Sequence, residues 1–243
     1  MHNIVYSLVI PCYNEAGNLR GLVDRCLHLI NEREDIEVIL INNGSTDNTV
    51  EELDDLLLDS HNPRLRSLHI DVNKGYGFGI LCGLKQCSGE ILGWTHADLQ
   101  TDPVDFLAAI SFFDKKNDLG FPFVKGKRLG RSFRDLVFTW GMSLVEWFVL
   151  DVRMWDINAQ PTVFSKDFFL SWQEAPNDFS LDLFVYYEAI RMNLIVKRFP
   201  VVFDTRHVGE GHNETFSSKF KYSWKTLCFS YGLRGRIKRH GVD

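Results

Sequence analysis

The sequence predicts an α/β domain, a mostly parallel sheet covered by helices on both faces. Two observations carry this. Short apolar runs alternate with amphipathic stretches through the first half of the chain, the pattern of successive strand–helix units. Each of the first four apolar runs also ends in a polar or glycine-rich cluster. In such sheets ligands bind outside the carboxyl ends of the strands.

Residues 4–10 read as a buried strand. Leu19, Leu22, Val23, Cys26, Leu27 and Ile30 then recur at helical spacing. A second strand at 37–41 stops at Asn42-Asn43-Gly44, and Ser45, Thr46 and Asp47 offer caps for a helix through Leu58. A third strand at 65–70 leads through a glycine-rich turn into a helix near 80–86. A fourth strand at 90–95 follows, and Asp102-Pro103 opens the next helix. A fifth strand is expected at 119–124. Beyond it the pattern loosens: an aromatic helix at 133–150, an extended stretch at 155–164, a helix at 181–192 and a strand at 194–203 interrupted by Pro200.

The 243 residues suit one domain. With 45% hydrophobic and 13% aromatic residues the chain is not disordered. Five cysteines without a C-x-x-C pair argue against a disulfide framework or a zinc site and fit a reducing compartment. Residues 136–155 are interrupted by Glu146 and Asp151 and do not read as a membrane span. No leader-like segment precedes the first strand, which favours a cytoplasmic chain. Net charge is −5, no reason to expect nucleic-acid binding. Between Phe216 and Val242, however, stand seven Lys or Arg and no acid, against 20 basic and 32 acidic residues elsewhere. We therefore divide the chain into a domain at 1–212 and a basic aromatic tail at 213–243.

Four segments should share one sheet edge. In Pro11-Cys12-Tyr13-Asn14-Glu15 the ring can stack on a base, and Asn14 and Glu15 can accept hydrogen bonds from a nucleoside; a plain turn is the simpler role. Asn42 through Asp47 is a turn and cap whose amides could also read a base edge. Gly75-Tyr76-Gly77-Phe78-Gly79 has the wrong position and register for a dinucleotide fingerprint. It could bring backbone close to a ligand, with Lys74 near a phosphate, or serve only helix packing. In His96-Ala97-Asp98-Leu99-Gln100 alternate side chains point one way, so imidazole, carboxylate and amide oxygen could share a divalent cation, Mn²⁺ or Mg²⁺. A capping Asp beside a satisfied histidine is the alternative.

These residues resemble family 2 glycosyltransferases with the GT-A fold, a Rossmann-like mostly parallel sheet. Ser7 through Glu15 is similar to the family's opening, and Asn42-Asn43-Gly44-Ser45-Thr46-Asp47 to its D-D-G-S-x-D. Asn73-Lys74-Gly75 is similar to its N-x-G stretch. His96 through Gln100 with Pro103 resembles the D-A-D-L-Q-x-x-P of the dolichyl-phosphate mannosyltransferase-like branch. Gly126-Lys127-Arg128, Ile157 through Pro161 and Pro200 through Arg206 match further. The resemblance implies inverting transfer of a sugar from a GDP- or UDP-sugar to a polyprenyl or dolichyl phosphate. A glycan hydroxyl as acceptor is the alternative, and a catalytically silent nucleotide-sugar-binding module a third.

By the same resemblance, Pro11, Tyr13, Glu15 and Asn43 match nucleotide-binding positions; together with Asn14, Lys74, Gly75 and Asp98 they are expected to bind the nucleotide-sugar. His96, Asp98 and Gln100 hold the metal. Arg128 and Arg206 meet phosphates, with Arg131 and Arg134 nearby. Asp182 stands near the position of the family's base; capping the helix at 181–192 is its alternative role. Two departures stand out: both acids of the second motif are Asn, and the first Asp of the metal motif is His96. The tail, with Lys219, Lys221, Lys225, Arg234, Arg236, Lys238 and Arg239 among aromatics, is expected to rest on an anionic cytoplasmic membrane surface; packing of those aromatics on the acidic body, with the basic side chains pairing its acids, is the alternative.

Overall fold

The structure, a computed structural model, describes residues 3–114, 120–130, 133–204 and 224–235, with backbone alone at 133–138 and 142. The strands β1 (Tyr6–Cys12), β2 (Ile36–Asn43), β3 (Leu65–Ile70), β4 (Ile91–Trp94), β5 (Phe123–Leu129), β6 (Thr162–Ser165) and β7 (Val196–Val202) form one sheet. Its order is β3-β2-β1-β4-β6-β5-β7. β1 pairs in parallel with β2 and β4, β2 with β3, and β5 with β7. Only β6 runs against its neighbours among these pairings. The GT-A expectation of a mostly parallel α/β sheet is met.

Side-chain alternation sorts the core into two layers. Leu8, Ile10, Val38 and Leu40 face one side, against Leu19, Leu22, Cys26 and Ile30 of α1 (Ala16–Glu32) and Phe106 and Ile110 of α4 (Asp105–Ile110). Val9, Ile39 and Ile41 face the other. There they meet Ile80 and Leu84 of α3 (Tyr76–Leu84) and Leu181 and Phe184 of α7 (Leu181–Arg191). The remaining helices are α2 (Thr49–Ser60), α5 (Phe133–Leu150) and α6 (Lys166–Leu170). β1 and β2 are buried on both faces, which explains why they read as continuous apolar runs.

Three expectations shift in the second half. The fifth strand begins at Phe123, after Pro122, and runs on through the polar Lys125-Gly126-Lys127-Arg128 because β7 pairs with it along that length. Of the extended 155–164 stretch, only residues from Thr162 onward enter the sheet. β7 passes through Pro200 unbroken. It is an edge strand, so the missing N–H removes no ladder bond on a second side.

Candidate active site

Because β1, β2, β3 and β4 are parallel neighbours, their carboxyl ends lie on one edge, and the four loops selected from the sequence meet there. Asn14 has φ 55°, a left-handed conformation that Asn tolerates better than most residues. It uses that shape to join the first loop to the second. Its backbone N–H donates to Ser45 Oγ at 3.0 Å, and its Oδ1 accepts from the Thr46 N–H at 2.8 Å. Glu15 donates its N–H to Thr49 Oγ1 at 2.9 Å and accepts from the buried Asn18 amide at 2.6 Å. Pro11 and Tyr13 are half-buried beside them.

Asn42 and Asn43, the departures from the paired acids, are both buried. Asn42 Oδ1 accepts from the Ser45 N–H at 3.1 Å. Asn43 Nδ2 donates to the Gly75 carbonyl at 3.0 Å, a bond that a carboxylate could not make. Asn43 Oδ1 is left buried without a partner. Gly75 itself sits at φ 115°, and a Cβ there would stand 2.3 Å from the Asn177 carbonyl oxygen. The glycine run thus lets the start of α3 close against residues 176–178, and the Phe78 N–H donates to the same Asn177 carbonyl at 2.9 Å. Lys74 is exposed, with its ammonium 5.2 Å from the Phe78 ring centre.

Between the third and fourth loops lies a stack of rings. Tyr76 is parallel to Phe179 at 4.7 Å between centroids and lies 5.8 Å from His96. Burial pushes the His96 pKa below its ordinary 6.5, although Asp98 and Asp182 pull it upward. The imidazole is therefore neutral at pH 7, the form that binds metal. Asp98 is buried and its Oδ1 accepts from the Gln100 N–H at 3.2 Å. The Gln100 side-chain amide donates to the Asp204 carbonyl at 3.4 Å. No group of three His, Cys, Asp or Glu side chains is arranged to hold a metal among the described residues. A neutral imidazole, one carboxylate and an amide oxygen suit a divalent ion that takes its remaining ligands from a diphosphate, not one caged by protein alone.

Beneath the rings is a sealed charge network. Lys125 and Asp182 are 0% and 2% exposed, and Lys125 Nζ donates to Asp182 Oδ1 at 3.2 Å and to Thr162 Oγ1 at 2.7 Å. Gln160 Nε2 donates to the same Asp182 oxygen at 2.7 Å, and Thr162 donates to Gln160 Oε1 at 3.0 Å. Burial lowers the Lys125 pKa to about 8, with Asp182 opposing the shift. Arg128 is held separately. Its guanidinium pairs with Asp156 Oδ1, and its backbone N–H donates to Asp156 Oδ2 at 3.0 Å. Lys125, Arg128, Asp98 and Asp182 all act electrostatically on His96, so these candidates share one locality. Arg206 and Arg131 lie outside the described residues, as does the Arg134 side chain.

Sequence reasoning passed over Lys125 and Asp156 and gave no role to Gln160. A signal existed for the first. Lys125 directly follows the strand expected at 119–124 and shares parity with Phe123, so an ammonium turned inward there would need a buried partner.

Residues 7–159 match the sequence profile of Glycosyl transferase family 2. The chain belongs to that family. It is 29% identical over 143 residues to a dolichyl-phosphate β-glucosyltransferase of Dictyostelium discoideum, covering 56% of this chain and 43% of that protein. It is 32% identical over 119 residues to an undecaprenyl-phosphate 4-deoxy-4-formamido-L-arabinose transferase of Pseudomonas savastanoi pv. phaseolicola, covering 46% and 34%. The matched regions therefore span less than half the length of these relatives. Among solved structures, glucosyl-3-phosphoglycerate synthase of Mycobacterium tuberculosis, in complex with Mn²⁺, UDP-glucose and phosphoglyceric acid, superposes with TM-score 0.73 at 15% identity, covering 96% of this chain and 80% of that one. A mannosyltransferase of Pyrobaculum calidifontis in complex with GDP-mannose and Mn²⁺ gives 0.64 at 17% identity, covering 95% and 63%. At these identities the likeness to the family 2 chain is one of fold.

Proposed function

We propose that this family 2 chain is an inverting glycosyltransferase that moves a sugar from a nucleotide-sugar donor to a polyprenyl or dolichyl phosphate. One observation carries the choice of acceptor. Asp182, which stands near the family's base position, is 2% exposed and accepts hydrogen bonds from both Lys125 and Gln160. A hydroxyl acceptor needs a carboxylate that can be reached and can take its proton. A phosphate acceptor arrives already ionised and needs neither. The lipid-phosphate acceptors named for the two relatives support the same reading.

The donor's nucleoside would lie over Pro11, Tyr13, Asn14 and Glu15. Asn43 would act from beneath, its Nδ2 holding the Gly75 carbonyl and so the start of the glycine run. Lys74 and Gly75 would border the phosphates. His96, Asp98 and Gln100 would hold Mn²⁺ or Mg²⁺ together with the diphosphate. The ion would stabilise the charge that builds on the leaving nucleoside diphosphate. Arg128, oriented by Asp156, and Arg206 would contribute positive charge toward the donor or acceptor phosphates. Among the described residues no helix is long and apolar enough to cross a membrane, and we place the chain peripherally at a cytoplasmic membrane surface.

The test is transfer from labelled GDP- and UDP-sugars to polyprenyl phosphate and to glycan acceptors. We expect product on polyprenyl phosphate, a fall of about 10²-fold or more in Asp98→Ala, and less than about tenfold in folded Asp182→Asn. Product on a glycan hydroxyl alone, with a loss of about 10²–10⁴-fold in Asp182→Asn, would overturn the acceptor assignment. A nucleotide-stabilised fold with no transfer to any acceptor would point to a silent binding module.

A further inference from the structure

Two helices in the second half of the chain are amphipathic the wrong way round for a free surface. On α5, Thr139, Ser143, Glu146, Val149 and Leu150 point inward. At about 100° per residue, Trp140, Gly141, Leu144, Val145, Trp147 and Phe148 cover the outward side; the Arg153 guanidinium lies 4.9 Å from the Trp147 ring centre, and Asp151 is exposed just past the helix end. Trp140 is 58% and Phe148 71% exposed. Residues 224–235 are also helical. Their inward side packs Phe229 on Phe184 at 6.4 Å and buries Leu233. Ser230 Oγ donates to Glu146 Oε2 of α5 at 2.5 Å, tying the two helices together. Directly opposite that docked side, at i, i+4 and i+7, stand Trp224, Cys228 and Tyr231, with Trp224 61% and Tyr231 63% exposed. Lys225 and Arg234 are exposed on the two flanks.

The two rings on each helix expose on the order of 250 Å², close to the few hundred Å² beyond which apolar patches are rare on monomers. We propose that the outward faces of α5 and of residues 224–235 form a docking surface for an anionic phospholipid bilayer. The charge pattern selects the occupant. An aromatic stripe flanked by Lys and Arg is the profile of a helix lying in the headgroup region, where Trp and Tyr are favoured. A symmetric second copy would instead bring basic flanks against basic flanks, in a stretch with seven cations and no acid between Phe216 and Val242. Along the chain, α5 begins five residues after Arg128. The proposal rests on the lipid-phosphate reading for its purpose and on the exposed faces for its location.

Flotation with vesicles of phosphatidylcholine and phosphatidylserine, free of polyprenyl phosphate, tests it. The full chain is expected to float, and less so at high salt. The paired changes Trp140→Ser with Phe148→Ser, and Trp224→Ser with Tyr231→Ser, should each cut the bound fraction about tenfold or more. Leu58→Ser, at an equally exposed apolar position on α2, should change nothing. Thermal stabilisation by nucleoside diphosphate should persist in all variants, which shows the fold intact. Wild-type recovery with vesicles in the paired variants would overturn the proposal, as would a chain that never floats. A dimer in ultracentrifugation that the same variants dissolve would give the surface to a second copy instead. Transfer to detergent-solubilised polyprenyl phosphate without flotation would sink the surface and leave the acceptor reading standing; flotation without such transfer would do the reverse.

Discussion

Replacing Lys125 by Met isolates the buried pair under the candidate site. The change keeps the volume of the side chain and removes the cation that faces Asp182 at 3.2 Å with both groups sealed from water. Removing one member of such a pair strands a charge in the interior and costs about 3–5 kcal/mol. For a domain of this size that lowers Tm by roughly 6–20 °C. Asp182→Asn should cost a comparable amount, since Lys125 is then stranded, although Asn still offers Gln160 an oxygen. The double variant Lys125→Met/Asp182→Asn leaves no buried charge and should recover most of the loss, so that it costs less than either single variant and far less than their sum. The sign of the pH dependence is a separate check. The folded pKa of Lys125 is about 8, below its ordinary 10.5, so between those values the unfolded chain holds more protons and stability rises with pH. The double variant lacks that contribution. Urea unfolding of the four proteins at pH 7 and at pH 9.5 measures both effects. A single variant that loses under about 1 kcal/mol, or a double variant no more stable than the worse single, would refute the reasoning.

His96→Asp should move the metal preference from Mn²⁺ toward Mg²⁺, because imidazole suits the softer ion; thermal shifts with nucleoside diphosphate and each metal read this, and an unchanged profile would remove His96 from the ligand set. Gly75→Ala meets a left-handed φ of 115° and the Asn177 oxygen at 2.3 Å; a loss of about 2–4 kcal/mol is expected in urea titration, and an unchanged midpoint would mean that residues 176–178 yield. Asp156→Ala frees the Arg128 guanidinium from its carboxylate; transfer should fall about 10–100-fold through misplacement while nucleotide-induced stabilisation is kept, and full activity would show that Arg128 needs no such support.

Much of the fold was legible because its first half obeys local rules. Strands buried on both faces must be largely apolar, α1 must carry a stripe, and the turns between them must contain residues that cap or reverse the chain. Those constraints fix the order of elements and, through the parallel topology, put Asn14, Asn43, Gly75 and His96 on one edge. The family was legible for the same reason, since its motifs are the loops at that edge. What stayed hidden depends on distance along the chain. Asn43 reads as a weakened acid until the Gly75 carbonyl appears beside it, 32 residues on. Asp182 reads as a base until Lys125, 57 residues earlier, and Gln160 close over it. Asp156 gains meaning only when β5 brings Arg128 alongside. Pro200 reads as an interruption until the sheet order makes β7 an edge. Periodicity and turn chemistry act within a few residues and are written in the sequence. The state of a buried charge is set by whichever group faces it, and only the tertiary structure decides which group that is.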